Sequence, residues 1–214
     1  MKNILNRIRS PISITISKKL LYSTAIFIIG VILGVISKVL DTTPSNYLPS
    51  FLQILDLRNF FSRIGVWLFL AVIISVYSKS PIRAAINVFL FFVGMVSSYY
   101  LYTVMVAGFF PKSYMMIWIG MTFVSPFLAF VCWYAKGKGG IAIFISSIIF
   151  MVISRQSFAF GFRYFYIKDS LEMLLLIATI FVLYQSPRQI IKVVTIGLLL
   201  YSFTAEVDLF FGMF

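Results

Sequence analysis

Seven apolar runs of nearly membrane-crossing length follow one another along this chain, and that succession leaves little else to build than helices in a bilayer. A hydrocarbon core of about 30 Å asks for roughly 20 apolar residues in helical form. Such runs extend from about Leu20 to Val39, Phe60 to Ser78, Arg83 to Phe110, Ser113 to Tyr134, Gly140 to Phe160, Ser170 to Tyr184 and Gln189 to Ala205. Over 214 residues, 61% are hydrophobic and only 11% charged, with a mean hydropathy of +1.02. A soluble domain carries about a quarter charged residues, so both a soluble globular fold and a disordered chain are excluded. The expected fold is all-α: a polytopic transmembrane bundle of about seven spans, or six if the fifth segment is re-entrant.

Proline punctuates the runs. Pro81, Pro111 and Pro187 sit at breaks between neighbours, where a residue without an N–H ends one helix and starts the next. Pro126 lies inside the fourth run and predicts a kinked span, since neighbouring helices can satisfy the carbonyl it frees. Two of the breaks echo each other: Tyr77-Ser78-Lys79-Ser80-Pro81-Ile82-Arg83 and Tyr184-Gln185-Ser186-Pro187-Arg188. These residue types favour such turns in any case, and two parallel three-helix units would place them equivalently.

Charge sets the orientation. With the amino terminus in the cytoplasm, the inside segments hold eleven Lys and Arg and no acid, while the outside holds seven basic residues and all six acids. The positive-inside rule counts only the basic residues, and segregation of the acids agrees with it at every loop. The expected location is a bacterial cytoplasmic membrane, with the amino terminus inside and the carboxyl terminus outside. Residues 1–19 read as a basic amphipathic cytoplasmic segment lying along the anionic inner leaflet, with Pro11 ending its short helix. Residues 20–214 read as one transmembrane helical domain, and the first run as a retained signal-anchor span rather than a cleaved leader.

The absent residues narrow the chemistry. With no histidine, imidazole-dependent proteolysis, HExxH zinc sites and bis-histidine haem ligation all fail. The single Cys132 forms no internal disulfide and, in an apolar helix end, reads as a small core residue. None of the six carboxylates falls in the middle of an apolar run, which disfavours an intramembrane aspartyl dyad or a midplane proton relay. Gly137-Lys138-Gly139-Gly140 lacks the full spacing of a nucleotide loop and reads as a turn. No catalytic residue, metal site, cofactor or nucleic-acid partner is expected.

Three features carry functional potential. The amphipathic external loop 41–59, in which Ser50 is expected to cap a short helix, is either an interfacial connector or a lid over an external cavity. The stretch Ser154 to Lys168 carries Arg155, Arg163 and a cluster of aromatics. Its apolar lead-in, Gly140 to Ser154, spans only about 22 Å. Continuation of the helix to Phe160 would leave Arg155 about 7–8 Å inside its end, snorkelling or facing an external pocket. Arg155 and Arg163, with Glu172 and Glu206 at the same level, form the expected ligand-binding set for an anionic molecule. Gly30 and Gly34 form a small-xxx-small pair that marks a packing face, toward either another helix of this chain or another subunit.

In architecture alone the chain resembles the membrane-embedded substrate-binding subunits of modular importers, being small, basic at its cytoplasmic turns and without an energising site; an odd span number departs from that pattern. The leading expectation is a non-enzymatic, transport-related subunit that binds a small ligand from outside and is energised by a partner. The alternatives are a structural or regulatory protein docking another membrane protein, or a second copy of itself, through the Gly30/Gly34 face, and an intramembrane enzyme using serine or tyrosine with lysine.

Overall fold

The structure, a computed structural model, describes residues 2–108, 112–161 and 164–204. It is almost entirely helical. Helices α1 (Lys2–Ile8), α2 (Ile16–Thr42), α3 (Ser50–Ile54), α4 (Leu57–Ser62), α5 (Ile64–Tyr77), α6 (Pro81–Tyr102), α7 (Lys112–Cys132) and α8 (Gly140–Ser157) lead to a short antiparallel hairpin, β1 (Phe158–Gly161) and β2 (Tyr164–Ile167). Two more helices follow, α9 (Ser170–Leu183) and α10 (Pro187–Phe203).

Each of the seven apolar runs contains one of the helices α2 and α5–α10, yet four stretches are long and apolar enough to cross a membrane: Ile16–Thr42, Pro81–Val106, Lys112–Lys136 and Gly140–Ser157. Helices α5 and α9 have 14 residues each. That is about 21 Å at 1.5 Å per residue, short of the hydrocarbon thickness. The run from Phe60 was expected to be continuous, but Arg63 is extended (φ −83°, ψ 156°) and splits it into α4 and α5. The split lets Arg63 reach Asp169 at 2.8 Å, joining the starts of α5 and α9.

Helix α5 divides the interior. Its Val66 and Trp67 pack with Phe91, Met95 and Trp118 in one core. Its Val72 and Val76 pack with Phe150, Ile153, Leu176 and Val193 in the other. The closest helix pair is α2 with α6. A Cβ at Gly30 would run into the Phe91 carbonyl, one at Gly34 into Met95, and one at Gly94 into the Phe27 carbonyl, so both backbones come together along one seam. Ser98 donates across it to the Val31 carbonyl at 3.0 Å. The Gly30/Gly34 face is therefore occupied from within the chain, and the sequence alone had left that choice open.

The echoed turns share one device. Ser80 and Ser186 cap α6 and α10, each hydroxyl accepting from the backbone N–H three residues on (Arg83 at 3.2 Å, Gln189 at 3.3 Å), with proline as the first helical residue. Pro126 lies inside α7. Ser50, by contrast, is itself the first residue of α3, after Pro49, and caps nothing.

One local expectation is overturned. Helix α8 ends at Ser157 and not at Phe160, so Arg155 stands in its last turn, and the aromatics that follow form the β1–β2 hairpin. The amino-terminal segment docks into one end of the bundle. Ile8 is buried, its carbonyl accepts from Lys138 N–H at 2.8 Å, and Ile12 N–H donates to the Lys79 carbonyl at 2.8 Å. Arg9 donates to the Trp133 carbonyl, and to Val76 at 2.9 Å, with its guanidinium 4.2 Å from the centre of the Trp133 ring. Burial lowers the Arg9 pKa, but a guanidinium stays charged. This end is called proximal below, and the end where α2 finishes is called distal.

Candidate functional site

At the distal end, α2, α4, α5, α6 and α7 line a cavity of about 270 Å³. Lys38, in the last turns of α2, contributes its deepest charge. A lysine here was expected to mark an outer loop, but the helix runs on to Thr42 and carries it inward, leaving it 4% exposed. Its ammonium bonds Asp41, one turn on, at 2.7 Å and lies 4.9 Å from the centre of the Tyr99 ring. Tyr99 donates to the same Asp41 oxygen at 3.1 Å. A buried lysine is tolerated when it is both paired and hydrogen-bonded, and here α2 and α6 together supply those contacts.

The walls are aromatic. Trp67 and Trp118 meet edge to face at 6.4 Å, and Tyr114 meets Trp118 at the same distance. Trp67 is fixed by its indole N–H donating to the Phe61 carbonyl at 3.0 Å. Tyr100 packs against Tyr99 at 5.2 Å. From α4, Arg58 and Ser62 complete the lining. From the loop 41–59, expected as connector or lid, Asp41 and Arg58 line the cavity.

Hydrogen-bond accounting separates this place from the rest. Among the described residues, the buried side-chain polar atoms without a partner are the Tyr100 hydroxyl, both carboxylate oxygens of Glu172 and the Gln189 amide. Tyr100 is 6% exposed and lines the cavity, and its hydroxyl is a buried donor and acceptor without a partner among the described residues. Such a group costs about 1–3 kcal/mol relative to a satisfied one. Arg58, half-buried at the rim, has no hydrogen bond or ion pair to another described residue.

The expected ligand set is dispersed. Arg155 donates to the Thr204 carbonyl and to Thr204 Oγ1 (3.3 Å), lies 5.5 Å from the Tyr201 ring centre, and is thereby held toward α10. Its own carbonyl accepts from Lys168 at 2.8 Å. Desolvation, with Arg155 and Arg63 nearby, lowers the Lys168 pKa. Glu172 turns the other way, fully buried against Gly65 of α5, where a Cβ would collide with its carboxylate. It takes no hydrogen bond from Arg155. Arg163 and Glu206 lie outside the described residues. The α4–α5 segment stands between the two places: Phe61, Ser62 and Trp67 line the cavity, while Gly65 meets Glu172.

A larger apolar groove of about 490 Å³ runs between α5, α6, α7 and α8 and includes Cys132. It has no charged residue on its walls to orient a ligand. Among the described residues there is no cluster of three or more metal-ligating side chains.

The distal cavity was missed because its parts are far apart in sequence and innocuous singly. Lys38 and Asp41 share one turn, but Tyr99 and Tyr100 come from a helix about sixty residues on, brought over by the glycine seam. A legible signal did exist: a lysine, three residues before an aspartate, on the face of Gly30 and Gly34. No protein-family model, curated protein or solved structure matches this chain, so its functional reading rests on its own residues.

Proposed function

We propose that this chain is a non-enzymatic, multi-pass membrane protein of transport type. It binds a small ligand from the outer side and depends on a partner for energy. The carrying observation is the distal cavity, which combines an aromatic wall, a buried Lys38–Asp41 pair, a free Tyr100 hydroxyl and the Arg58 guanidinium. Ligand sites are concave and mostly apolar, with a few convergent polar groups that fix orientation. The charge pattern of the turns orients the proximal end toward the cytoplasm and opens the cavity outward. Seven crossings then include α5, α9 and α10, of 14, 14 and 17 residues, as short spans.

An energised partner belongs to this reading because the sequence offers neither a nucleotide loop nor a midplane carboxylate. The Lys38 amine is already engaged by Asp41, which disfavours it as a base. Docking of another protein through Gly30 and Gly34 is disfavoured by α6, which covers that face. Arg155 and Glu172 are assigned supporting roles at the α8–α10 and α5–α9 contacts.

Native mass spectrometry of the detergent-solubilised chain tests the proposal. A retained small molecule, lost in Tyr100→Phe, is the expected result. A co-purified protein with no small molecule would favour the docking alternative and overturn this reading. Reporter fusions at Lys79 and Lys138 should report cytoplasm, and one after Thr204 the exterior.

A further inference from the structure

We infer that the distal cavity selects a small organic anion: one carboxylate-like group on a compact apolar or aromatic body. The inference rests on the reading of this cavity as a ligand site. Its walls carry two cations and one anion, and the anion is already committed, since the same Asp41 oxygen takes both Lys38 and Tyr99. With that pair neutralised, Arg58 leaves an excess of one positive charge on the lining. A guanidinium presents a planar fork of donors that matches a carboxylate.

Tyr100, on the same lining, adds a hydroxyl that makes no hydrogen bond to another described residue and can donate to an anion. Trp67, Trp118 and Tyr114, also on the lining, supply the apolar surroundings for the body of the molecule. Aromatic walls also suit cations. Here a cation would have to enter beside Lys38, which already lies over the Tyr99 face. At about 270 Å³ the volume is slightly below the roughly 300–1,000 Å³ of pockets for drug-sized ligands, so the molecule is compact. Free solutes and the head of a membrane amphiphile share this chemistry.

Titration of the full chain in phosphatidylcholine nanodiscs, followed by tryptophan fluorescence, with benzoate, benzamide and benzylamine as probes of one shape and three charges, tests the assignment. Benzoate should bind at least about tenfold more tightly than benzamide, the loss expected for a charge-assisted hydrogen bond. Benzylamine should bind more weakly still. Arg58→Gln should abolish the preference for benzoate while leaving the melting temperature and the weak benzamide binding in place, and Arg58→Lys should restore part of it.

Benzamide or benzylamine matching benzoate would overturn the anion assignment and leave the cavity as a ligand site. No response to any of the three, from a chain that melts cooperatively, would remove the site itself. Nanodiscs containing phosphatidylglycerol distinguish the sources. Weakened benzoate binding there supports the anion site with a lipid head as its occupant, and unchanged binding supports it with a free solute.

Discussion

The two ends of the α2–α6 pair carry polar clusters of similar size that differ in how completely they are satisfied. At the proximal end, Ser23 donates to Asn87 at 2.7 Å, Asn87 donates to Ser78 at 3.2 Å, and Ser78 donates to the Ile74 carbonyl at 2.7 Å. Arg83 donates to Ser23 and, at 2.8 Å, to the Lys19 carbonyl, so each member of this cluster has a partner. At the distal end, Lys38, Asp41 and Tyr99 are joined, but Tyr100 and Arg58 are not. A closed network in an apolar medium fixes helices, because opening any bond leaves a polar group with nothing to replace it. An open one bordering a cavity offers bonds to something that is not part of the chain. Asn87 thus bonds within the helix pair, while Lys38 and Tyr100 line the cavity.

This contrast can be broken most severely at the seam that carries both clusters. Gly34→Leu would force its side chain into Met95 backbone and Ser98, a collision that no rotamer change on α6 relieves. The expected cost is about 3 kcal/mol, the upper part of the usual overpacking range. Thermal melting in detergent should show a large drop, with benzoate binding lost as well. A near-normal melting temperature would mean that the α2–α6 contact is not as close as described.

A smaller effect should separate the ends. Asn87→Ala leaves Ser23 and Ser78 short of a partner and should cost about 1–2 kcal/mol, the scale of interhelical hydrogen bonds in membranes. Its benzoate affinity should be unchanged, because the cavity is at the other end. A loss of binding equal to that of a cavity variant would join the two clusters and end the distinction. Arg9→Gln sharpens the same point. It removes the guanidinium from the Trp133 ring and weakens two carbonyl contacts, at a cost of about 1 kcal/mol for a half-exposed cation–π site. Its effect should appear as faster proteolysis near Lys79 and Lys138, again with binding intact.

What was legible in the sequence was the periodic and the punctuating. Apolar runs, Ser-Pro caps and the proline inside α7 follow from one-dimensional signals, because a helix and its cap are local objects. The hairpin was misread although its signal was present: Phe-Ala-Phe-Gly and Tyr-Phe-Tyr-Ile are aromatic-rich segments separated by two residues. In a chain dense with aromatics, an interfacial belt explains the same letters, and pairing between strands decides only in three dimensions. The site was the least legible. Lys38 counted among the outside charges because it stands at the end of the first run, and its burial depends on contacts with a helix far along the sequence. Tyr99 and Tyr100 lie within the third apolar run, and only the glycine seam places them beside Lys38 and the cavity.

The most direct test of the account pairs Tyr100→Phe with Asn87→Ala, measuring melting temperature and benzoate affinity for each in the same nanodiscs. Tyr100→Phe removes a hydroxyl that bonds no other described residue, so stability should change by no more than about 0.5 kcal/mol. Affinity should fall about tenfold, as expected when one hydrogen bond to a charged group is lost. Asn87→Ala should do the reverse, lowering stability with affinity preserved. If Tyr100→Phe instead destabilises the chain and leaves benzoate binding unchanged, the hydroxyl is structural, and the distal cavity is not the site.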